Sequence, residues 1–202
     1  NSSLCKSNKL QSSDYCHLGN TSSRPTLASV FLQNFAGIPQ QERSVAIFGG
    51  GHSPYGASDP AIDCGVHNNI PASELGRVVY VTDLASGEII AEFRPGNGNV
   101  IGRSGSNSPG AVAKDMAHGM VGSPACFNTS LGAVATRCFI GDEGGQLWRL
   151  DMSSGDASKW TLSFFHDAYE ALPGKARAPI ADSPTLVLSG DTGLLTVVYG
   201  TG

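Results

Sequence analysis

Short apolar runs separated by turn residues, an imperfect internal repeat and a glycine-rich, charge-poor composition predict an all-β fold: a partial β-propeller of about two and a half four-stranded antiparallel blades. The runs are clearest in the stretch from Gly122 to Trp160 and just beyond it, at residues 124–127, 136–140, 146–150 and 160–165. Every break between them carries Gly, Asn or Asp, which take up turn geometry at little cost. Such a pattern reads as one antiparallel meander. Alone it cannot bury both faces, so it has to pack against others of its kind. The composition agrees, with 26 glycines, 40% hydrophobic and only 15% charged residues in a chain of 202.

The repeat supplies those others. Ser183-Pro184-Thr-Leu-Val-Leu, a turn at residues 190–193 and the run Leu195-Thr-Val-Val-Tyr-Gly200 restate the first half of the 122–160 unit. A stretched earlier copy begins at Arg24-Pro25 and continues at Ser44-Val-Ala-Ile-Phe-Gly49, and its second half, residues 77–93, aligns with residues 146–155. The common formula is Ser/Arg-Pro, strand, loop, strand ending in Gly, strand ending in Asp, then a three-residue step to Gly. Blade-like units are therefore expected at 24–96, 116–165 and 179–202, after an irregular lead-in over 1–23. A closed propeller needs at least four blades. The last unit stops midway, and the opening Asn-Ser-Ser-Leu-Cys has neither an initiator Met nor a signal-peptide core, so the chain is expected to be a segment of a longer one.

Taken in order, residues 24–35 form a first strand, 37–41 a turn containing Pro39, and 44–49 a short buried strand ended by Gly49-Gly50-Gly51-His52. Residues 56–76 read as an insertion. Loops of this kind carry function more often than strands do, so its Asp59, Asp63 and His67 mark the candidate binding loop. With Cys64 they offer metal-ligand types, but at no spacing that matches a known ligand set, and solvated loop polarity is the simpler account. Residues 77–93 alternate as a hairpin turning at 85–87. The Gly/Asn/Ser stretch 95–110 has the composition of a phosphate cradle but neither phosphate-loop nor dinucleotide spacing, and reads as an inter-blade connection. Residues 166–177 fit one helical turn before Pro173, and 176–184 cross to the next unit.

Several chemistries are excluded by pattern. A net charge of −4 without a basic cluster argues against nucleic acid, and no apolar run is long enough to span a bilayer. There is no G-x-S-x-G elbow, no HExxH helix and no DxDxDG calcium loop, and the five histidines are scattered. No catalytic residue, cofactor or metal ligand is assigned. Asp83 and Asp151, at strand ends, are expected to bind turn amides, and Asp142-Glu-Gly-Gly145 to make a tight turn. Trp148 and Trp160 are expected to be packing residues. Of five cysteines, Cys126 and Cys138 lie about equally far from the turn of one predicted hairpin, which admits a cross-strand disulfide. Cys5 and Cys16 can form a second, leaving Cys64; buried free thiols are the alternative. Disulfides would place the protein in an oxidising, extracytoplasmic compartment.

Laid end to end, Leu18-Gly-Asn-Thr-Ser-Ser-Arg-Pro25, Val45-Ala-Ile-Phe-Gly-Gly-Gly-His52, Val79-Tyr-Val-Thr-Asp83-Leu-Ala-Ser-Gly87, Gly122-Ser-Pro124, Phe139-Ile-Gly-Asp142-Glu-Gly-Gly-Gln-Leu-Trp-Arg-Leu-Asp151 and Val198-Tyr-Gly-Thr-Gly202 resemble the C-terminal β-propeller of the PilY-type (PilC/PilY) type IV pilus tip-associated adhesins. The resemblance implies a quinoprotein-like propeller in an exported bacterial protein at the cell surface. It implies minor pilins and a host or abiotic surface as partners, and roles in pilus assembly and adhesion. Some members carry a calcium loop between the Ser-Pro strand and the Gly-Asp strand; here that place holds residues 128–136, without a carboxylate. Two rival functions stay open: a quinone-dependent dehydrogenase-like enzyme, which shares the fold, and a glycan-binding propeller.

Overall fold

The computed structural model describes residues 15–52, 62–64, 67–70, 74–97, 99–102, 116–127, 134–172 and 174–202. In chain order its strands are β1 (Thr26–Phe35), β2 (Ile38–Gly49), β3 (Ile62–Cys64), β4 (His67–Ile70), β5 (Val79–Asp83), β6 (Ile89–Phe93), β7 (Val100–Ile101), β8 (Ala125–Phe127), β9 (Arg137–Gly141), β10 (Gln146–Asp151), β11 (Thr161–Asp167), β12 (Thr185–Leu188) and β13 (Leu195–Val198). They assemble as a four-stranded sheet β1-β2-β5-β6, a five-stranded sheet β7-β11-β10-β9-β8, and the pairs β12-β13 and β3-β4. All pairings are antiparallel except that of β7 with β11.

Side chains one residue apart on a strand point to opposite faces, and this period decides which sheets touch. On β9, Cys138 and Ile140 share a buried cluster with Val45, Ile47, Val79 and Val81 of the four-stranded sheet. Phe139, between them, joins Leu147 and Ile180 in a second cluster, against which Leu186, Leu195, Val197 and Tyr199 pack. The five-stranded sheet is thus sandwiched, with the first sheet on one face and β12-β13 on the other. Trp148 and Trp160 are buried in the larger cluster, and their indole N–H groups donate to Asp142 Oδ2 (3.0 Å) and to the Ser154 carbonyl (2.6 Å). Large aromatic surfaces and satisfied N–H groups together make the two tryptophans anchors of that core.

Several local expectations are corrected. The first turn is only Ala36-Gly37, both at positive φ (50° and 77°), the two-residue connection that suits strand twist. Pro39 lies inside β2 rather than in the turn. It is tolerated there because β5 pairs with β2 only over Val45–Gly49, so its missing N–H interrupts no second ladder. The 95–110 stretch is not all connection, since Val100 and Ile101 form a strand alongside Leu162 and Ser163. Beyond β11 the chain makes hydrogen-bonded turns, not a helix, with Leu172 N donating to the Tyr169 carbonyl. Residues 15–23 of the irregular lead-in form no strand but lie against the first sheet: Asn20 and His52 exchange backbone hydrogen bonds in an isolated bridge, and Tyr15 packs on Phe48 and Tyr80.

Candidate functional site

The three Pro-led segments lie against one another, the first two in register. Ser22 Oγ donates to the Val121 carbonyl, Ser23 Oγ to that of Gly122 (2.8 Å), and Arg24 N to Ser123 Oγ (2.9 Å), each pair 99 positions apart. At the next step Ser123 N donates to the Ala181 carbonyl and Ser183 Oγ to that of Pro124, so the second and third segments also touch, but not equivalent residue to equivalent residue. A seam of short Pro-led segments thus runs past the ends of the sheets.

Glycine makes the close approach possible. A Cβ at Gly49, the end of β2, would lie 2.1 Å from the Met120 carbonyl oxygen, and one at Gly141, the end of β9, 2.3 Å from the Ile180 oxygen. Met120 and Ile180 stand at the same place, four residues before Pro124 and Pro184. Neither Gly49 nor Gly141 has a positive φ. Glycine is needed there for space, not for backbone conformation.

Beside this seam the β9-β10 turn gathers polar groups. Asp142 is fully buried; its Oδ1 accepts from the amides of Gly144 and Gln146 (2.8 Å each) and its Oδ2 from Trp148. Burial pushes its carboxyl above the ordinary aspartate range, against the pull of those donors and of His118. Glu143 joins two units. Its side chain contacts His52 Nδ1 and accepts from the Gly119 amide (3.2 Å), while its own amide donates to the Gly119 carbonyl. On the far side of the first sheet, His17 Nδ1 lies 2.9 Å from Glu92 Oε1, and burial, then Glu92, drives the Tyr80 phenol well above its usual range. Arg177 binds Asp167 Oδ1 and the Gly144 carbonyl and stacks on Tyr169. Chemically these groups hold backbone together, and among the described residues no three His, Cys, Asp or Glu side chains converge as metal donors.

Asp83 and Asp151 take the places read from sequence. Asp83 Oδ2 accepts from the Ser86 amide and hydroxyl, and Asp151 Oδ1 from those of Ser153. Asp156 repeats the motif with Ser158. Cys126 and Cys138 face each other across β8 and β9 and are joined by a disulfide. Cys16 is disulfide-bonded as well; Cys5 lies outside the described residues. Of the candidate binding loop, Asp59 lies outside the described residues, and Asp63 and His67 fall on β3 and β4 of one hairpin. The His52–Glu143 contact had no signal in the sequence because it joins residues 91 positions apart, and Arg177–Asp167 had none because irregular turns separate the two; the glycines ending β2 and β9 were the visible trace of the seam. No described helix is long and apolar enough to cross a membrane.

Neither the family models nor the curated proteins compared with the chain gave a match. Among solved structures, the crystal structure of the Pseudomonas aeruginosa PilY1 C-terminal domain aligns with 92% of this chain at a TM-score of 0.56 and 22% sequence identity. The aligned part is 33% of that chain, so the present chain spans about a third of its length. Over the aligned span this chain has the all-β fold of a PilY-type C-terminal domain.

Proposed function

We propose that this chain is a segment of the propeller of a type IV pilus-associated protein of the PilY kind, a non-catalytic scaffold that serves pilus assembly and surface attachment. The observation that carries the reading is the fold shared with the PilY1 C-terminal domain over nearly the whole chain. Motif order along the sequence agrees with it. So do the seams, in which successive units meet through the same segment and the same glycine, as blades around an axis do. On this reading the blade units are 24–96, 116–165 and 179–202, the first extended upstream by the packed residues 15–23.

The Cys126–Cys138 and Cys16 disulfides support export to the cell surface, where thiols oxidise. Minor pilins and a host or abiotic surface are the partners that follow. Calcium and a quinone have no part in the reading. The enzyme alternative wants a tryptophan stacked on a cofactor in an open funnel, whereas Trp148 and Trp160 are both fully buried with their N–H groups engaged.

Deletion of the gene in its host, with complementation, tests the proposal. Surface pili and attachment should fall severalfold and return with the intact gene, and minor pilins should co-purify with the tagged protein. Unchanged piliation and attachment in the deletion strain would sink it. A bound quinone absorbance, or selective binding on a glycan array without a pilus defect, would favour the enzyme or the lectin instead.

A further inference from the structure

The β1-β2 hairpin outgrows the rest of its sheet. β5 pairs with β2 only over Val45–Gly49, because Asp83 binds Ser86 and turns the chain back toward β6. The last bond of that ladder is Leu84 N donating to the Ser44 carbonyl (3.0 Å). Beyond it β2 runs from Ser44 out to Ile38, roughly 20 Å of strand, with β1 as its one strand partner among the described residues.

The register shows which backbone groups this leaves. In an antiparallel pair, opposite residues either bond each other or both point away, in alternation. Ser29 and Gln33 of β1 point away from β2, since the Ser29 carbonyl accepts from Ala135 N and Gln33 N donates to the Gly155 carbonyl (2.7 Å each). Their partners Ser44 and Gln40 therefore point away from β1, and so does Glu42 between them. Leu84 takes the outward carbonyl of Ser44. The outward amides and carbonyls of Gln40 and Glu42 have no partner among the described residues, and both residues are exposed.

The usual protections of a sheet edge are missing from this stretch. The pairing with β1 has no bulge, Pro39 carries its missing N–H on the β1 side, and there is no lysine. The hairpin is braced in its extended form. Arg43 lies over the Phe35 ring with its Nε 3.5 Å from Asp83 Oδ1, and Gln41 Nε2 donates to the Phe35 carbonyl (2.8 Å). Two exposed apolar side chains bracket the row, Ile38 at 46% and Leu84 at 48%.

We propose that the open edge of β2 from Ile38 to Arg43 is a strand-addition site for an extended peptide segment of a partner protein, with apolar residues toward Ile38 and Leu84 and a basic residue opposite Glu42. Only an extended backbone presents donors and acceptors at the spacing of this row, which sets the conformation of the occupant. Glu42 sets its charge, being the single charge on its face of the stretch, while Arg43 on the other face is engaged by Asp83. A second copy of this chain is the poorer occupant, because a six-residue row falls far short of the roughly 20–30 residues a side of a stable folded interface. The site stands apart from the pilus reading and does not depend on it.

Residue-resolved amide exchange by NMR on the 202-residue chain tests this. In the free chain the amides of Gln40 and Glu42 should exchange about tenfold or more faster than those of Gln41 and Arg43, which face β1. A synthetic probe of about eight residues, alternating valine and threonine around one lysine, should slow Gln40 and Glu42 about tenfold and leave Gln41 and Arg43 unchanged. The same probe N-methylated along its pairing edge should have no effect. Gln40→Pro removes one outward N–H without touching the β1 ladder and should abolish the slowing. Glu42→Lys should move the preference to a probe whose lysine is replaced by glutamate. Amides of Gln40 and Glu42 already slow in the free chain, no slowing at about 1 mM probe, equal slowing by the N-methylated probe, indifference to Gln40→Pro, an unmoved charge preference in Glu42→Lys, or a dimer in light scattering that protects the same amides would each overturn the proposal. None of these outcomes bears on piliation, so the two readings fail separately.

Discussion

At the level of single residues, Asp142 and Asp151 titrate in opposite senses. Burial raises Asp142 above its ordinary value of 3.8, and the donors from Trp148, Gln146 and Gly144 recover only part of that shift. The folded protein then holds the proton more tightly than the unfolded chain does. Stability linked to Asp142 is complete below pH 3.8 and is lost as pH rises through the higher folded value. For Asp151 burial also pushes upward, but the Ser153 hydroxyl and amide, with Arg137 and Arg149, outweigh it and leave the carboxyl low. Its contribution is present above the ordinary value and fades as pH falls through the folded one. Asp142→Asn keeps an acceptor for the two amides and removes the titration. Its stability, from urea midpoints at acid and neutral pH, should therefore decline less with rising pH than the wild type's. Asp142→Ala strands three buried donors and should cost about 3 kcal/mol at neutral pH. A loss under 1 kcal/mol would show that Trp148 and the turn amides find other acceptors.

Among the elements, the central hairpins were legible because their chemistry is local. Asp142-Glu-Gly-Gly145 forces a turn, and the alternation in residues 137–151 leaves one register that buries Ile140, Trp148 and Leu150 together. Pairs that depend on distant partners were not legible. Val100–Ile101 is two residues long and is a strand only because β11 lies beside it. Pro39 reads as a turn residue by composition, but the tight Ala36-Gly37 connection places it in a strand. At the polar seam the aspartates that bind their own turns were readable, whereas the contacts of Glu143 with His52 and of Arg177 with Asp167 were not. The edge strand β8 has only three residues paired to β9 and is tied there by Cys126–Cys138 across a separation of 12. Loss of this bond should destabilise the five-stranded sheet by about 3 kcal/mol. Urea unfolding of the wild type and of a Cys126→Ser, Cys138→Ser double variant, both without reductant and followed by Trp148 and Trp160 fluorescence, measures it; coincident curves would reduce the bond to an ornament.

In the molecule as a whole, stability is divided among sheets that meet through small, repeated contacts. Gly141→Ala puts a methyl against the Ile180 carbonyl and side chain, and overpacking of this kind costs about 1–3 kcal/mol. The loss should fall on the seating of β12-β13, whose amides would exchange faster, while β2 and β5 keep their protection. Uniform acceleration through all sheets would mean that the units do not behave as separable bodies. The first two Pro-led segments are held residue against residue at one offset of 99 over Ser22, Ser23 and Arg24. Such a contact works like a zip, and a zip tolerates no extra tooth: one residue inserted between Gly119 and Pro124 should break the match on one side of the insertion.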